Sequence, residues 1–244
     1  LKIIGVIPAR YQSTRFAGKV LADICGKPMI WWVFQQAVKV KEFDDVYVAT
    51  DDERIKEACD KYDMNVIMTS TEHKTGTDRI GEAAKKLKAD LYVNIQGDEP
   101  LLEAQTIQQA ILPFFEDPNL EITNLMTKIT NPVEVVNVTV PKVITNKEGI
   151  GVFLTRSAVP FPKGKIDYTF FKQVCVYGFK PEALSFFCST PRGKVESIED
   201  IEILRFIEHG HKVKFIEVES DTTAVDTPKD LEKVIEVMEQ RVKQ

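Results

Sequence analysis

The sequence predicts an α/β fold, a doubly wound and mostly parallel sheet, and three observations carry that expectation. Short apolar runs at residues 3–7, 45–49, 65–68 and 91–95 have the length of strands. Helix-like stretches alternate with them, giving the βαβαβαβ order typical of parallel sheets. Beyond about Asp117 the rhythm changes to extended runs at 122–129, 140–144, 152–154 and 174–179, with Pro132, Pro141, Pro160 and Pro162 between them. Those runs predict the far side of the sheet and a small excursion that carries a second substrate.

Taken in order, residues 3–7 (Ile-Ile-Gly-Val-Ile) are a buried first strand and residues 8–19 the loop that leaves it. A helix is predicted over 28–40, with Pro28 near its start, where its fixed φ is tolerated. Trp31 and Trp32 are neighbours there and cannot share a helix face, so both are read as packing residues. The second strand, 45–49, leads into Thr50-Asp51-Asp52-Glu53, which has the form of a capping box. The helix it opens runs to about Tyr62 with Ile55 and Ala58 inward. A third strand at 65–68, a helix over 78–87 and a fourth strand at 91–95 follow. The tail is expected to be helical over 197–209, extended over 212–218 and helical after Thr227. No repeat, low-complexity stretch or linker is visible, so one domain is expected over residues 1–244.

The formal charge of −5, with Lys and Glu well mixed and no basic stripe, argues against a nucleic-acid partner. Cys25, Cys59, Cys175 and Cys188 show no CxxC or zinc spacing and are read as small buried residues or free thiols in a reducing compartment. No signal-peptide pattern is visible and no apolar run is long enough to span a bilayer, so a cytoplasmic protein without membrane insertion is expected.

Against this acidic background the loop after the first strand stands out. Arg10, Arg15 and Lys19 crowd it, while Pro8, Ala9, Ser13 and Gly18 let its backbone approach a ligand. Ligands of open α/β sheets bind outside the carboxyl ends of the strands. A cationic loop there suits a triphosphate, offering N–H groups and side-chain charge. No GxGxxG follows the first strand, which argues against a nicotinamide dehydrogenase. Gln96-Gly97-Asp98-Glu99-Pro100 ends the fourth strand at the same sheet edge, and Asp98 has no helix to cap. Asp226, in Ala224-Val225-Asp226-Thr227-Pro228, suits an N-cap and a metal ligand equally on its residues alone. One or two carboxylates completed by phosphate and water are the usual way to hold Mg²⁺. His73, His209 and His211 scatter without a convincing partner, and His209-Gly210-His211 is read as a helix end.

The loop Pro8-Ala9-Arg10-x-x-Ser13-Thr14-Arg15-x-x-Gly18-Lys19 resembles the first motif of the cytidylyltransferases that activate 3-deoxy-manno-octulosonate (Kdo). The resemblance recurs at Gly26-Lys27-Pro28-Met29-Ile30, Ala49-Thr50-Asp51, Gly76-Thr77-Asp78-Arg79 and Gln96-Gly97-Asp98-Glu99-Pro100. It continues through Thr155-Arg156, Val176-Tyr177-Gly178-Phe179, Glu199-x-x-Glu202-x-Leu204-Arg205 and Val225-Asp226-Thr227-Pro228, nearly the whole chain in order. It implies a fold of the nucleotide-diphospho-sugar transferase type and transfer of CMP from CTP to the anomeric hydroxyl of a 3-deoxy-2-keto sugar acid, with pyrophosphate leaving. It also implies a homodimer, with apolar strands after residue 120 available for its interface. Asp98 and Asp226 become the implied Mg²⁺ ligands, and Arg10, Arg15 and Lys19 the residues that offset triphosphate charge. Nucleotide proximity is implied for Pro8, Ala9, Thr75, Gly76, Arg79 and Gln96. The sugar-acid side is expected from Gln96, Arg156, Gln173, Tyr177, Glu202 and Ile203, with Arg156 as a fork for the substrate carboxylate.

The chain departs from these relatives in that acceptor set. Gln173 stands where they usually show His, Cys175 where they show Gly, and Ile203 where they show Gln. An acceptor pocket of altered selectivity is therefore expected, so the acceptor is Kdo or a close analogue. The rival readings are a nucleotidyltransferase of the same scaffold with another acceptor, and a non-catalytic nucleotide-sensing subunit. The cationic loop and the two carboxylates speak against the sensor.

Overall fold

Residues Ile3–Ala9 (β1) send their side chains alternately into two apolar layers, and the fold builds outward from that strand. The computed structural model describes residues 1–13, 16–164, 168–219 and 224–242. After β1 come a 3-10 turn at Lys19–Leu21, the hairpin β2 (Asp23–Ile24) and β3 (Lys27–Pro28), and α1 (Met29–Ala37). Then follow β4 (Asp45–Thr50), α2 (Glu53–Lys61), β5 (Val66–Met68), α3 (Gly76–Leu87) and β6 (Leu91–Ile95). The next elements are α4 (Ala104–Gln109), α5 (Pro113–Glu116), β7 (Ile122–Lys128), α6 (Pro132–Val136), β8 (Lys142–Thr145), β9 (Gly151–Thr155) and β10 (Phe171–Phe179). The chain ends in α7 (Pro181–Ser189), α8 (Lys194–Glu199), α9 (Leu204–Glu208), β11 (Lys214–Glu217) and α10 (Pro228–Val242).

The central sheet has the order β11-β7-β10-β6-β1-β4-β5. Parallel ladders join β5, β4, β1 and β6, and β10 alone along this path runs against its neighbours. The doubly wound, mostly parallel sheet is therefore present as expected. Odd positions of β1 (Ile3, Ile7) pack with Ile30, Val33 and Phe34 of α1 and Ile55 of α2. Even positions (Ile4, Val6) pack with Ile80 and Ala83 of α3, Leu184 and Phe187 of α7, and Phe206 of α9. Covering both faces removes the polar alternation that a one-sided strand would show. Each fully buried aliphatic side chain contributes roughly 1.5–3 kcal/mol.

The excursion after residue 128 hangs from β10 through β8, which pairs in turn with β9. A register shift between Val174 and Tyr177 interrupts the β10–β7 ladder and leaves Cys175 in the irregular stretch. No helix among the described residues is long and apolar enough to cross a membrane.

Several element boundaries differ from expectation for local reasons. Helix α1 starts after Pro28 and ends at Ala37 rather than at residue 40. Asp52, not Thr50, caps α2, accepting from the Arg54 N–H, because Thr50 still belongs to β4. The inward residues of α2 are Ile55 and Cys59, an i,i+4 pair, with Ala58 only half-buried. The helix expected over 197–209 is two helices, broken where Asp200 adopts φ +51°. The cysteines are free, yet Cys25 and Cys188 are exposed and only Cys59 is fully buried, its thiol pushed up to about 12 by burial.

Candidate active site

Three carboxyl-end segments meet at one edge of the sheet. The strand β1 ends at Ala9, β6 ends at Ile95 just before Gln96-Gly97-Asp98, and the segment before α10 carries Asp226. A backbone bond from the Val225 N–H to the Asp98 carbonyl (2.9 Å) ties the last two together. Val225 is itself buried against Ile24, Met29, Val234 and Met238, so apolar packing of α10 on the β2–β3 hairpin sets the position of Asp226. Gly97 lets the two segments approach closely: a Cβ there would lie 3.3 Å from Ile7, which would have to shift slightly, and 3.5 Å from the Pro8 carbonyl.

The capping alternative for Asp226 does not hold. Thr227 precedes the first residue of α10, donating its N–H (2.9 Å) and hydroxyl (2.7 Å) to Asp230, whose own N–H returns to the Thr227 hydroxyl. The helix start is capped without Asp226, whose carboxylate instead accepts from Lys19 Nζ at 3.1 Å. Asp98 lies 2.5 Å from the same ammonium. Burial works against the Lys19 charge, but Asp98 and then Asp226 outweigh it and hold its pKa above the ordinary lysine value. Lys19 is delivered by Gly18, which adopts φ +70°, and the Gly18 N–H closes the loop on the Tyr11 carbonyl (2.7 Å). The Tyr11 ring is in turn covered by the Arg54 guanidinium, 3.3 Å from its centroid.

These groups open into a cleft of about 350 Å³. Of the nucleotide-side residues expected from sequence, Pro8, Ala9, Arg10, Lys19, Thr75, Gly76, Arg79 and Gln96 line it, together with the expected metal ligands Asp98 and Asp226. Arg15 lies outside the described residues. Thr75 caps α3, and Arg79 sits one turn in. Arg79 is buried and bonded to Asp51 (3.3 Å) and the Thr69 hydroxyl (2.5 Å), so it shapes the cleft floor by holding the 69–75 loop.

The acceptor-side expectations divide. Glu202 lines the cleft, accepting from the Thr77 N–H at 3.2 Å; burial raises its pKa, with the Thr77 bonds acting in the opposite sense. Tyr177 is buried beside it, and burial, then Cys175 and Glu202, push the phenol up. Gln173 does not line the cleft but donates to Asn124 (2.8 Å), which donates to the Val174 and Val176 carbonyls at the irregular stretch of β10. Ile203 faces away: it is 1% exposed, in the core with Phe179 and Phe206, so it does not form an apolar wall of this cleft. Contrary to expectation, Ile203 makes no direct contact with this cleft. Arg156 is not a wall of this cleft either. Its guanidinium donates to the Glu199 (2.6 Å), Val138 (3.1 Å), Thr139 (3.3 Å) and Asp200 (3.1 Å) carbonyls.

The structure also brings in residues that sequence reading passed over. Arg192 and Asp200 line the cleft and pair with each other at 2.8 Å. Behind them the buried pair Arg205–Glu196 joins α9 to α8 through two bonds of 2.8 and 2.7 Å. Removing Glu196 would leave the buried Arg205 guanidinium without a carboxylate, at a cost of about 3–5 kcal/mol. Lys74 and His73 also line the cleft, and His73 does have a carboxylate partner, Glu82 at 2.6 Å. His209 stays structural as expected, bonded through Nδ1 to the Arg205 carbonyl.

Glu82 also accepts from the Ser70 N–H (2.8 Å) and Lys86, bonds that overcome its burial and lower its carboxyl to about 2. A carboxylate lowered from its usual value adds stability that is fully present above about pH 4.5 and is lost as pH falls toward 2. Glu82→Gln is accordingly expected to flatten the acid limb of a Tm–pH profile between those values. An unchanged limb would remove Glu82 from the loop's support.

The donor set fits a divalent cation. Asp98 and Asp226 are hard oxygen donors already converging on one cationic atom. Among the described residues no cluster of three or more His, Cys, Asp or Glu side chains is placed to hold a metal, so most coordination positions would fall to substrate oxygens and water. That is the usual division for Mg²⁺.

Known proteins resemble this chain over nearly its whole length. The family model described as cytidylyltransferase matches residues 4–215. The chain is 39% identical over 234 residues (96% of it, 93% of the relative) to a 3-deoxy-manno-octulosonate cytidylyltransferase of Solibacter usitatus (strain Ellin6076). It is 40% identical over 252 residues (99% and 100%) to the protein of the same name from Geotalea daltonii (strain DSM 22248 / JCM 15807 / FRC-32). A solved structure of CMP:2-keto-3-deoxy-manno-octonic acid synthetase complexed with CTP superposes with a TM-score of 0.95 at 36% identity, covering 99% of this chain and 100% of that one.

Proposed function

The chain belongs to the cytidylyltransferase family, and from that premise we propose that it transfers CMP from CTP to the anomeric hydroxyl of Kdo, releasing pyrophosphate. The observation that carries this reading is the convergence of Lys19, Asp98 and Asp226 beyond the ends of β1 and β6, inside a cleft whose lining includes Arg10, Lys74 and the start of α3. Arg10 and Lys19 offset triphosphate charge, with Arg15 assigned to the same task from sequence. Asp98 and Asp226 hold Mg²⁺, which supplies further neutralisation of the phosphate oxygens when bound. Gln96 and Glu202 bound the space left for the acceptor, where Glu202 is positioned to accept hydrogen bonds from sugar hydroxyls. The work is positioning and electrostatics; no nucleophilic side chain is needed.

The direct test is pyrophosphate release with CTP, Mg²⁺ and a panel of 3-deoxy-2-keto acids that includes Kdo. Release dependent on Kdo supports the reading. Tight CTP binding without release from any acid would favour a nucleotide sensor.

The reading extends to a homodimer acting in the cytoplasm. Free thiols at all four cysteines suit a reducing compartment. The excursion leaves Val133, Val136, Val138 and Phe161 between 65% and 84% exposed, which is the apolar surface a second copy would cover. Val133→Lys with Val136→Lys should shift the protein from dimer to monomer in light scattering without changing its circular dichroism. A monomeric unmodified protein would refute the dimer.

A further inference from the structure

Lys19 bridges the two carboxylates that would hold the metal. Its ammonium touches Asp98 at 2.5 Å and Asp226 at 3.1 Å, with the Lys19 and Asp98 side chains only 14% and 20% exposed. Two carboxylates facing one another in such a site repel unless a cation joins them. Lys19 supplies such a cation, in contact with both. A divalent ion bound to the same oxygens at about 2.0–2.1 Å would sit against the ammonium, so the two compete for one position. Lysine has the means to leave: a flexible four-carbon stem and a point charge that any phosphate oxygen in the cleft satisfies. Lys19 lines the same cleft as Arg10 and Lys74, so a triphosphate placed there would offer it another anionic partner.

We propose that Lys19 is the resident counter-ion of the Asp98–Asp226 site, and that metal enters only as Lys19 transfers to a nucleotide phosphate. The inference rests on the two carboxylates being the metal ligands of the proposed reaction. Its consequence is thermodynamic coupling. Metal alone binds poorly because it must evict a paired ammonium, whereas nucleotide gives that ammonium a new anionic partner. By linkage, metal strengthens nucleotide binding by the same factor.

The test is Mn²⁺ binding to the nucleotide-free protein, counted by electron paramagnetic resonance, for the unmodified chain, Lys19→Met and Lys19→Gln. Both variants should bind Mn²⁺ at least about tenfold more tightly than the unmodified protein, which corresponds to about 1.4 kcal/mol. Equal affinity in all three would overturn the proposal. If neither variant folds, the unmodified protein decides alone. Mn²⁺ binding without nucleotide that is as tight as with α,β-methylene-CTP, and is lost in Asp98→Asn, would overturn the counter-ion role while leaving the metal site intact. Weak binding without nucleotide, strengthened beyond what the free analogue's own chelation accounts for, would support it. Persistence of Mn²⁺ binding in a doubly changed Asp98→Asn, Asp226→Asn protein with the analogue present would instead remove the metal assignment itself, and the counter-ion role with it.

Discussion

Asp98→Asn is expected to lower kcat by about a thousandfold or more while leaving the fold unchanged, because it removes charge at the position where phosphate charge must be balanced. The change is nearly isosteric, and the Asp98 backbone carbonyl keeps its bond from the Val225 N–H, so Asp226 should hold its position. Lys19 would keep Asp226 as a partner at 3.1 Å, which limits the stability cost. Circular dichroism and Tm would establish that the protein is folded, and pyrophosphate release would report turnover. A purely structural role for Asp98 predicts a Tm change in proportion to the activity loss. Full activity of the variant in excess EDTA would refute a metal role for this carboxylate.

How far the sequence could be read depended on whether the relevant partner is local. The central strands β1 and β6 are buried on both faces, so their apolar runs show directly, and the fourth strand is found at the residues expected, Leu91–Ile95. The cationic loop and Asp98 were legible because a buried strand that stops at charged residues signals an exposed sheet edge. Asp226 was ambiguous because an Asp before Thr-Pro looks like a cap, and only the Thr227–Asp230 reciprocity shows which residue performs that task. The pairs that were missed are long-range or irregular. His73 finds Glu82 across a loop-to-helix corner, and the break at Asp200 needs a left-handed residue that neither Gly nor Pro announces. Ile203 shows the limit of motif substitution: replacing a polar residue by Ile looks like a changed pocket, but the side chain packs into the core. Periodicity reports how much is buried, not which partner a side chain meets.

Arg156→Ala is the second large change expected, and its signature separates positioning from direct grip. The side chain donates to four carbonyls on two segments, Val138 and Thr139 on one side, Glu199 and Asp200 on the other. Glu199 completes the latch by accepting from the Arg156 N–H (2.8 Å) and the Thr155 hydroxyl (2.6 Å). Asp200 sits at φ +51°, a conformation that costs a non-glycine residue roughly 1–2 kcal/mol and persists only where its surroundings hold it. Removing the guanidinium releases that turn and, with it, Asp200 and Glu202 at the cleft wall. Water can reach most of the exposed carbonyls, so the stability loss is expected at about 1–3 kcal/mol, a Tm decrease of several degrees. KM for Kdo should rise by one to two orders of magnitude, while calorimetric CTP affinity stays within about twofold, because the nucleotide side is built on β1, β6 and α3. Arg156→Lys should not rescue, since one ammonium cannot span two segments as a planar fork does. Positioning predicts faster amide exchange over residues 196–203 together with the KM change. A KM change with no change in exchange would mean that Arg156 leaves these carbonyls to bind the acceptor carboxylate itself, and equal loss of CTP affinity would mean that the two halves of the site are not separate.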